Sequence, residues 1–202
     1  MKYVKITGRD PVRPDLGTGV LHSLKYLRLD PWKRWPLILT ESRSLAGMLR
    51  PIASEYRVLL AATNGQCAGF LHTKLKGYLS SIGCVLYLGD YDLAGNDIEA
   101  NSRQIIKELA GTPPHWERLA ITEAQVAEYG LTPIVKKDFR FKPPREFEAV
   151  ECEALSRKKL ILDIVRNRLE ELLPEPLSSV LAREEAQRNT LEAAIKAAIG
   201  DQ

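Results

Sequence analysis

The chain has 202 residues, 45% of them hydrophobic and 27% charged, with a net charge of +3. That balance excludes a chain disordered throughout, and no apolar run approaches the ~20 residues of a membrane span. Residues 1–14 lack the apolar core of a secretory signal. Cys67, Cys84 and Cys152 are too few and too scattered for a disulfide framework, so the expected compartment is the reducing cytoplasm.

The charge is unevenly spread. Residues 1–36 carry eight lysines and arginines against three aspartates, which leaves the rest of the chain net negative. With four prolines and Gly17-Thr18-Gly19, this stretch reads as an irregular basic arm suited to a polyanionic partner. Regular patterning begins at Leu37. Leu37–Leu39 is a short apolar strand ending at Thr40-Glu41, and residues 42–54 form a helix with Leu45, Met48, Leu49 and Ile52 along one face. Residues 57–62 make a second strand stopped by Asn64-Gly65, and residues 67–79 a second helix. Val85–Leu88 is a third strand running into Gly89-Asp90-Tyr91-Asp92, followed by a helix over 95–109. Residues 118–121 form a fourth strand and 122–129 a short helix. A Pro-rich basic stretch, 133–144, precedes an added strand at 150–155 and two helices, 156–173 and 177–199. The apolar stripe Leu191, Ala194, Ile195, Ala198 and Ile199 marks a packing face on the last helix, or a contact with a second copy of the chain.

Apolar strands alternating with helices specify an α/β fold: a doubly wound, mostly parallel four-stranded sheet covered on both faces. The expected organisation is an arm over 1–36, the α/β domain over 37–155, and C-terminal helices over 156–202 that pack on it.

In such sheets ligands bind beyond the carboxyl ends of the strands. Glu41 ends the first strand, and Asp90 and Asp92 end the third. Residues two apart on a strand share a side, so both aspartates aim at one point if extension persists through Tyr91. Converging carboxylates repel unless a cation neutralises them, and hard oxygen ligands select Mg²⁺ or Mn²⁺. Gly89 and Gly95 flank the acids and permit close backbone approach. Glu151 and Glu153 share one side of the added strand and could complete a second metal position. Asp97, in the first turn of the third helix, suits the helix dipole rather than a metal. Lys136, Lys137, Arg140 and Lys142, interleaved with Phe139 and Phe141, form a candidate nucleic-acid contact, since phosphates attract the cations and unpaired bases stack on the rings.

Residues 37–44, LILTESRS, resemble the glutamate motif of Toprim domains, which occur in topoisomerases, bacterial primases and several nucleases. Residues 85–95, VLYLGDYDLAG, resemble the Asp-x-Asp motif of the same family, closest to the form in topoisomerase VI A subunits and bacterial plasmid-defence nuclease subunits, although Leu93 stands where proline is common. The resemblance implies that Glu41, Asp90 and Asp92 are catalytic and hold Mg²⁺, with Glu41 also a general acid–base, and that DNA is the substrate. It leaves open a nuclease, or a non-catalytic nucleic-acid-binding subunit working with a partner or as a homodimer. Tyr3 and Tyr26 lie in no helix-turn-helix pattern, so topoisomerase activity by this chain alone is not expected. A phosphohydrolase with an aspartate nucleophile is a further alternative, but its Asp-x-Asp belongs on the first core strand, not the third.

Overall fold

The computed structural model describes residues 23–24, 27–64, 68–139, 141–157 and 160–200. Residues 31–174 form one compact unit. Its centre is a four-stranded sheet of β1 (Trp35–Thr40), β2 (Leu59–Ala62), β3 (Ile82–Leu88) and β4 (His115–Ala120). The order is β2-β1-β3-β4 and every pairing is parallel. Leu37, Ile38 and Leu39 of β1 and Val85 through Leu88 of β3 are all fully buried, as an unbroken apolar strand covered on both faces must be. The expected α/β class and parallel four-stranded sheet are therefore observed.

Two layers of helix supply the cover. Helix α1 (Arg43–Glu55) buries Leu45, Leu49, Ile52 and Ala53 and contacts β1 and β2. Ser42 starts it, its hydroxyl accepting from the Leu45 N–H at 3.1 Å. Helix α2 (Leu93–Ala110) packs with the segment 68–81. Together they enclose Leu37, Leu39, Val85, Tyr87, Ile105 and Ile106 in one apolar core. Gly47 sits exposed inside α1, and a Cβ built there meets nothing within 4 Å. Gly47→Ala should thus stabilise the protein by about 0.5–1 kcal/mol through helix propensity alone, measurable as a raised denaturant midpoint; an unchanged or lowered midpoint would contradict the open environment of that position.

Several expectations are corrected. Residues 68–81 are not one regular helix. A short α-turn at Ala68–Phe70 passes through a π-helical Leu71–Leu75 into a 3₁₀ segment, Lys76–Ser81. Leu71, Leu75 and Leu79 are buried there, while Gly69 and Gly77 weaken regular helix. The stretch after Pro133 is a hairpin, β5 (Ile134–Asp138) antiparallel to β6 (Arg145–Ala149). Its prolines flank the strands instead of interrupting them. Residues 150–155 are not a strand. Only Val150 pairs, as a single bridge to Tyr91, and the chain then turns into α4 (Glu153–Arg157). Glu151 and Glu153 accordingly do not share a strand face.

Helix α3 (Glu123–Glu128) opens with a capping box of Thr122 and Gln125, and α5 (Leu160–Leu172) contacts α1 and β4. A second unit contains the described residues up to Asp30 and those from Glu175 onward. Within it, α6 (Leu177–Gly200) buries Glu184, which accepts from Arg28 at 3.2 Å and from the Leu29 N–H at 3.1 Å. The predicted stripe on α6 is not a buried face: Leu191 is 43% exposed, and Ala194 and Ala198 are also exposed. Most of the predicted basic arm, with Tyr3 and Tyr26, lies outside the described residues. Among the described residues no helix is long and apolar enough to cross a membrane.

Candidate metal centre

The chain leaves β1 for β2 on one side and β3 for β4 on the other, so β1 and β3 flank the point where strand order reverses. That is where an open parallel sheet leaves a crevice beyond its strand ends. Glu41 follows β1 there, and its N–H donates to the Leu88 carbonyl of β3 at 2.9 Å. Asp90 and Asp92 follow β3. Extension does persist through Tyr91, whose backbone exchanges hydrogen bonds with Val150 at 2.9 and 3.2 Å.

Each aspartate is held by one oxygen. Asp90 Oδ1 accepts from the Cys152 N–H at 2.9 Å, and Asp92 Oδ1 caps α2 by accepting from the Gly95 N–H at 2.7 Å. Their other oxygens converge on one cation, the Lys136 ammonium of β5, at 3.4 Å from Asp90 Oδ2 and 3.2 Å from Asp92 Oδ2. Glu151 Oε1 lies 3.6 Å from the same nitrogen. Glu41 stands beside this trio, with Oε2 accepting from the Asp90 N–H at 3.1 Å.

Burial pushes the Glu41 carboxyl above its ordinary range, and the charges of Asp90 and Asp92 add to the rise, partly offset by the Asp90 N–H and Lys136. Asp90 is also raised, chiefly by burial, against the lowering effects of the Cys152 N–H and Lys136. Burial alone would lower Lys136, but its bond to Asp92 and the fields of Asp90, Asp92 and Glu151 outweigh it and keep the ammonium firmly charged. The buried Cys152 thiol is pushed up, so it stays protonated and is no nucleophile at neutral pH.

Arg118 braces the loop that carries the acids. Its guanidinium donates to the carbonyls of Asp90 at 2.5 Å, Gly89 at 3.3 Å and Ile121 at 2.7 Å, and pairs with Glu99. Trp116 Nε1 donates to the same Glu99 at 2.7 Å. Beside the acids a cleft of about 250 Å³ is lined by Glu41, Ser42, Arg43, Asn64, Asp90 and Glu153. Ser42 Oγ donates to Glu153 Oε1 at 3.0 Å across it, so Glu153 reaches the site from α4 rather than from a strand.

Of the other predicted contact residues, Lys137 pairs with Glu146 at 3.1 Å, Lys142 is exposed, and Arg140 lies outside the described residues. Phe139 is 75% exposed, and the Arg145 guanidinium lies 4.4 Å from the centroid of the Phe141 ring. Reasoning from sequence missed Arg118 and the pairing of Lys136 with the acids. Arg118 did carry a signal: a cation directly before Leu119-Ala120 of a buried strand must find a partner.

The donor set is compatible with a hard divalent cation. Two carboxylate oxygens already share one positive charge, and Mg²⁺ commonly takes only one or two protein carboxylates and keeps water for its remaining positions. Among the described residues no group of three acidic, histidine or cysteine side chains is gathered closely enough to enclose a metal ion. No family model matches the chain, and no curated protein or solved structure matches it.

Proposed function

We propose that this protein is a Toprim-type, Mg²⁺- or Mn²⁺-dependent enzyme acting on nucleic-acid phosphodiester bonds, a DNA nuclease. The observation that carries this reading is the convergence of Asp90 Oδ2 and Asp92 Oδ2 on a single cation beyond the ends of parallel strands. A divalent ion bound there would supply positive charge to phosphoryl oxygens. Asp90 and Asp92 are the residues that would hold it, each oriented by a backbone N–H on its second oxygen. Glu41 would be the proton-handling group, because its carboxylate stands beside the aspartates, accepting from the Asp90 N–H at 3.1 Å, and burial raises it above its ordinary range. Arg118 fixes the Asp90 carbonyl, so the loop keeps its aim. The exposed Phe139, with Lys142 and Arg145 nearby in sequence, suits an unpaired strand. This reading takes the cytoplasm as the compartment, on the three scattered cysteines that suit a reducing environment.

A second reading, a nucleic-acid-binding subunit without cleavage, is favoured by one observation: Lys136 already bridges both aspartates and offsets part of their charge without a metal. Incubating supercoiled plasmid and single-stranded DNA with the protein in Mg²⁺, Mn²⁺ or EDTA separates the two. Cleavage that needs divalent metal and is abolished by Glu41→Gln is the expected result. Binding with no cleavage in either metal would select the second reading.

A further inference from the structure

Lys136 does more than line the site. Its nitrogen touches Asp90 Oδ2, Asp92 Oδ2 and Glu151 Oε1 at 3.4, 3.2 and 3.6 Å. The opposite oxygens of the two aspartates are committed to the N–H groups of Cys152 and Gly95. The oxygens facing Lys136 are therefore the ones left for a metal ion. Mg²⁺ sits at about 2.1 Å from oxygen ligands, and a divalent ion and an ammonium sharing those two oxygens would repel at close range. The two cations exclude each other. Asp92 is 4% exposed and Asp90 20%, so water screens neither carboxylate well when its partner leaves. Arg118 cannot substitute, because its guanidinium is held by Glu99 and by three backbone carbonyls.

We propose that Lys136 is a built-in counterion that competes with divalent metal for Asp90 and Asp92, and so sets the metal concentration at which the site loads. This rests on the metal reading of the site. The arrangement offsets part of the acid pair's charge when metal is scarce and makes loading an exchange of one cation for another. Lysine suits that role. Its single charge rides on a flexible four-carbon stem and can swing aside, whereas the aspartates are fixed by the backbone.

The test is Mn²⁺ titration of the full chain, with free Mn²⁺ counted by electron paramagnetic resonance and melting followed in parallel. Lys136→Met should bind Mn²⁺ about tenfold more tightly than the wild type, equivalent to about 1.4 kcal/mol. It should melt below the wild type in EDTA, and that deficit should close or reverse in millimolar Mn²⁺. Lys136→Arg, which keeps the charge, should bind no more tightly than the wild type. If Lys136→Met fails to fold without metal, refolding it in Mn²⁺ supplies the same comparison. Equal Mn²⁺ affinity in wild type and Lys136→Met overturns the competition and leaves the metal reading standing. Tighter binding that survives an added Asp92→Asn also overturns it, since the ion would then sit elsewhere. No Mn²⁺ uptake by either protein overturns the metal reading and the competition together.

Discussion

Asp92→Asn should destabilise the metal-free protein by about 2 kcal/mol, while Asp90→Asn should leave it as stable or more so. Repulsion between two like carboxylates would suggest that removing either one helps equally. The structure breaks that symmetry. Asp92 is the more buried of the two and the nearer partner of Lys136, at 3.2 Å. Asparagine at 92 can still cap α2, because its amide oxygen accepts from the Gly95 N–H as the carboxylate does. What it loses is the charged half of a largely buried hydrogen bond, for which about 1.5–3 kcal/mol is usual.

Asp90 behaves oppositely, because burial holds its carboxyl above the ordinary value despite the Cys152 N–H and Lys136. A raised folded value means that the fold binds this proton more tightly than the unfolded chain does. The ionised carboxylate therefore opposes folding at neutral pH. That opposition fades as pH falls through the raised value toward the ordinary one. The advantage of Asp90→Asn over the wild type should shrink across the same window. In the wild type, divalent metal should add about 1.4 kcal/mol for each tenfold rise above its dissociation constant. Each single variant should weaken that gain, and the double variant should abolish it. Urea titrations at several pH values, with Mg²⁺ and with EDTA, measure every part of this. Equal effects of the two single substitutions would show that Lys136 does not favour Asp92, and an undiminished metal effect in the double variant would move the metal elsewhere.

The sheet, and the placement of Glu41, Asp90 and Asp92 beyond the ends of neighbouring strands, were legible because they rest on local, repeating signals. Leu37–Leu39 and Val85–Leu88 are apolar runs too short for helices, and the acids follow at strand ends where an open sheet leaves a crevice. Legibility failed where the outcome depends on long-range pairing. Lys136 and Lys137 look alike in sequence, yet one meets Asp92 44 residues away and the other pairs across the hairpin with Glu146. Nothing local distinguishes them except strand alternation, and the flanking prolines hid the strand. Residues 150–155 misled for a related reason. Their alternation suits a strand, but the Asp90 carboxylate captures the Cys152 N–H and the Ala154 N–H bonds back to Glu151, which turns the chain into helix. Tertiary contacts override local preference at those points.

Among the described glycines, Gly95 is the one where the least added volume should do the most damage. A Cβ there would lie 2.4 Å from the Asp90 carbonyl oxygen and 3.3 Å from Glu41 Oε2. The first contact is with backbone, which cannot rotate aside as a side chain can. That backbone is also fixed, because Arg118 donates to the same carbonyl at 2.5 Å and Tyr91 is bridged to Val150. Relief would require either the start of α2 or the Asp90–Asp92 loop to withdraw. Withdrawal stretches the 2.7 Å bond from the Gly95 N–H to Asp92 and swings the carboxylates off their common point. Gly95→Ala should therefore cost about 3 kcal/mol, at the upper end of overpacking penalties, although alanine favours a helix start over glycine by propensity. In a chain of this size that is a fall in melting temperature of roughly 6–12 °C. It should also weaken Mn²⁺ binding, because the ligands rather than the core are displaced. Gly47→Ala is the matched control, since the same added methyl in open space should stabilise. A Gly95→Ala protein that melts with the wild type and takes up Mn²⁺ equally would mean that the loop carrying Asp90 is not seated against α2, and that its carboxylates are not held in place by this packing.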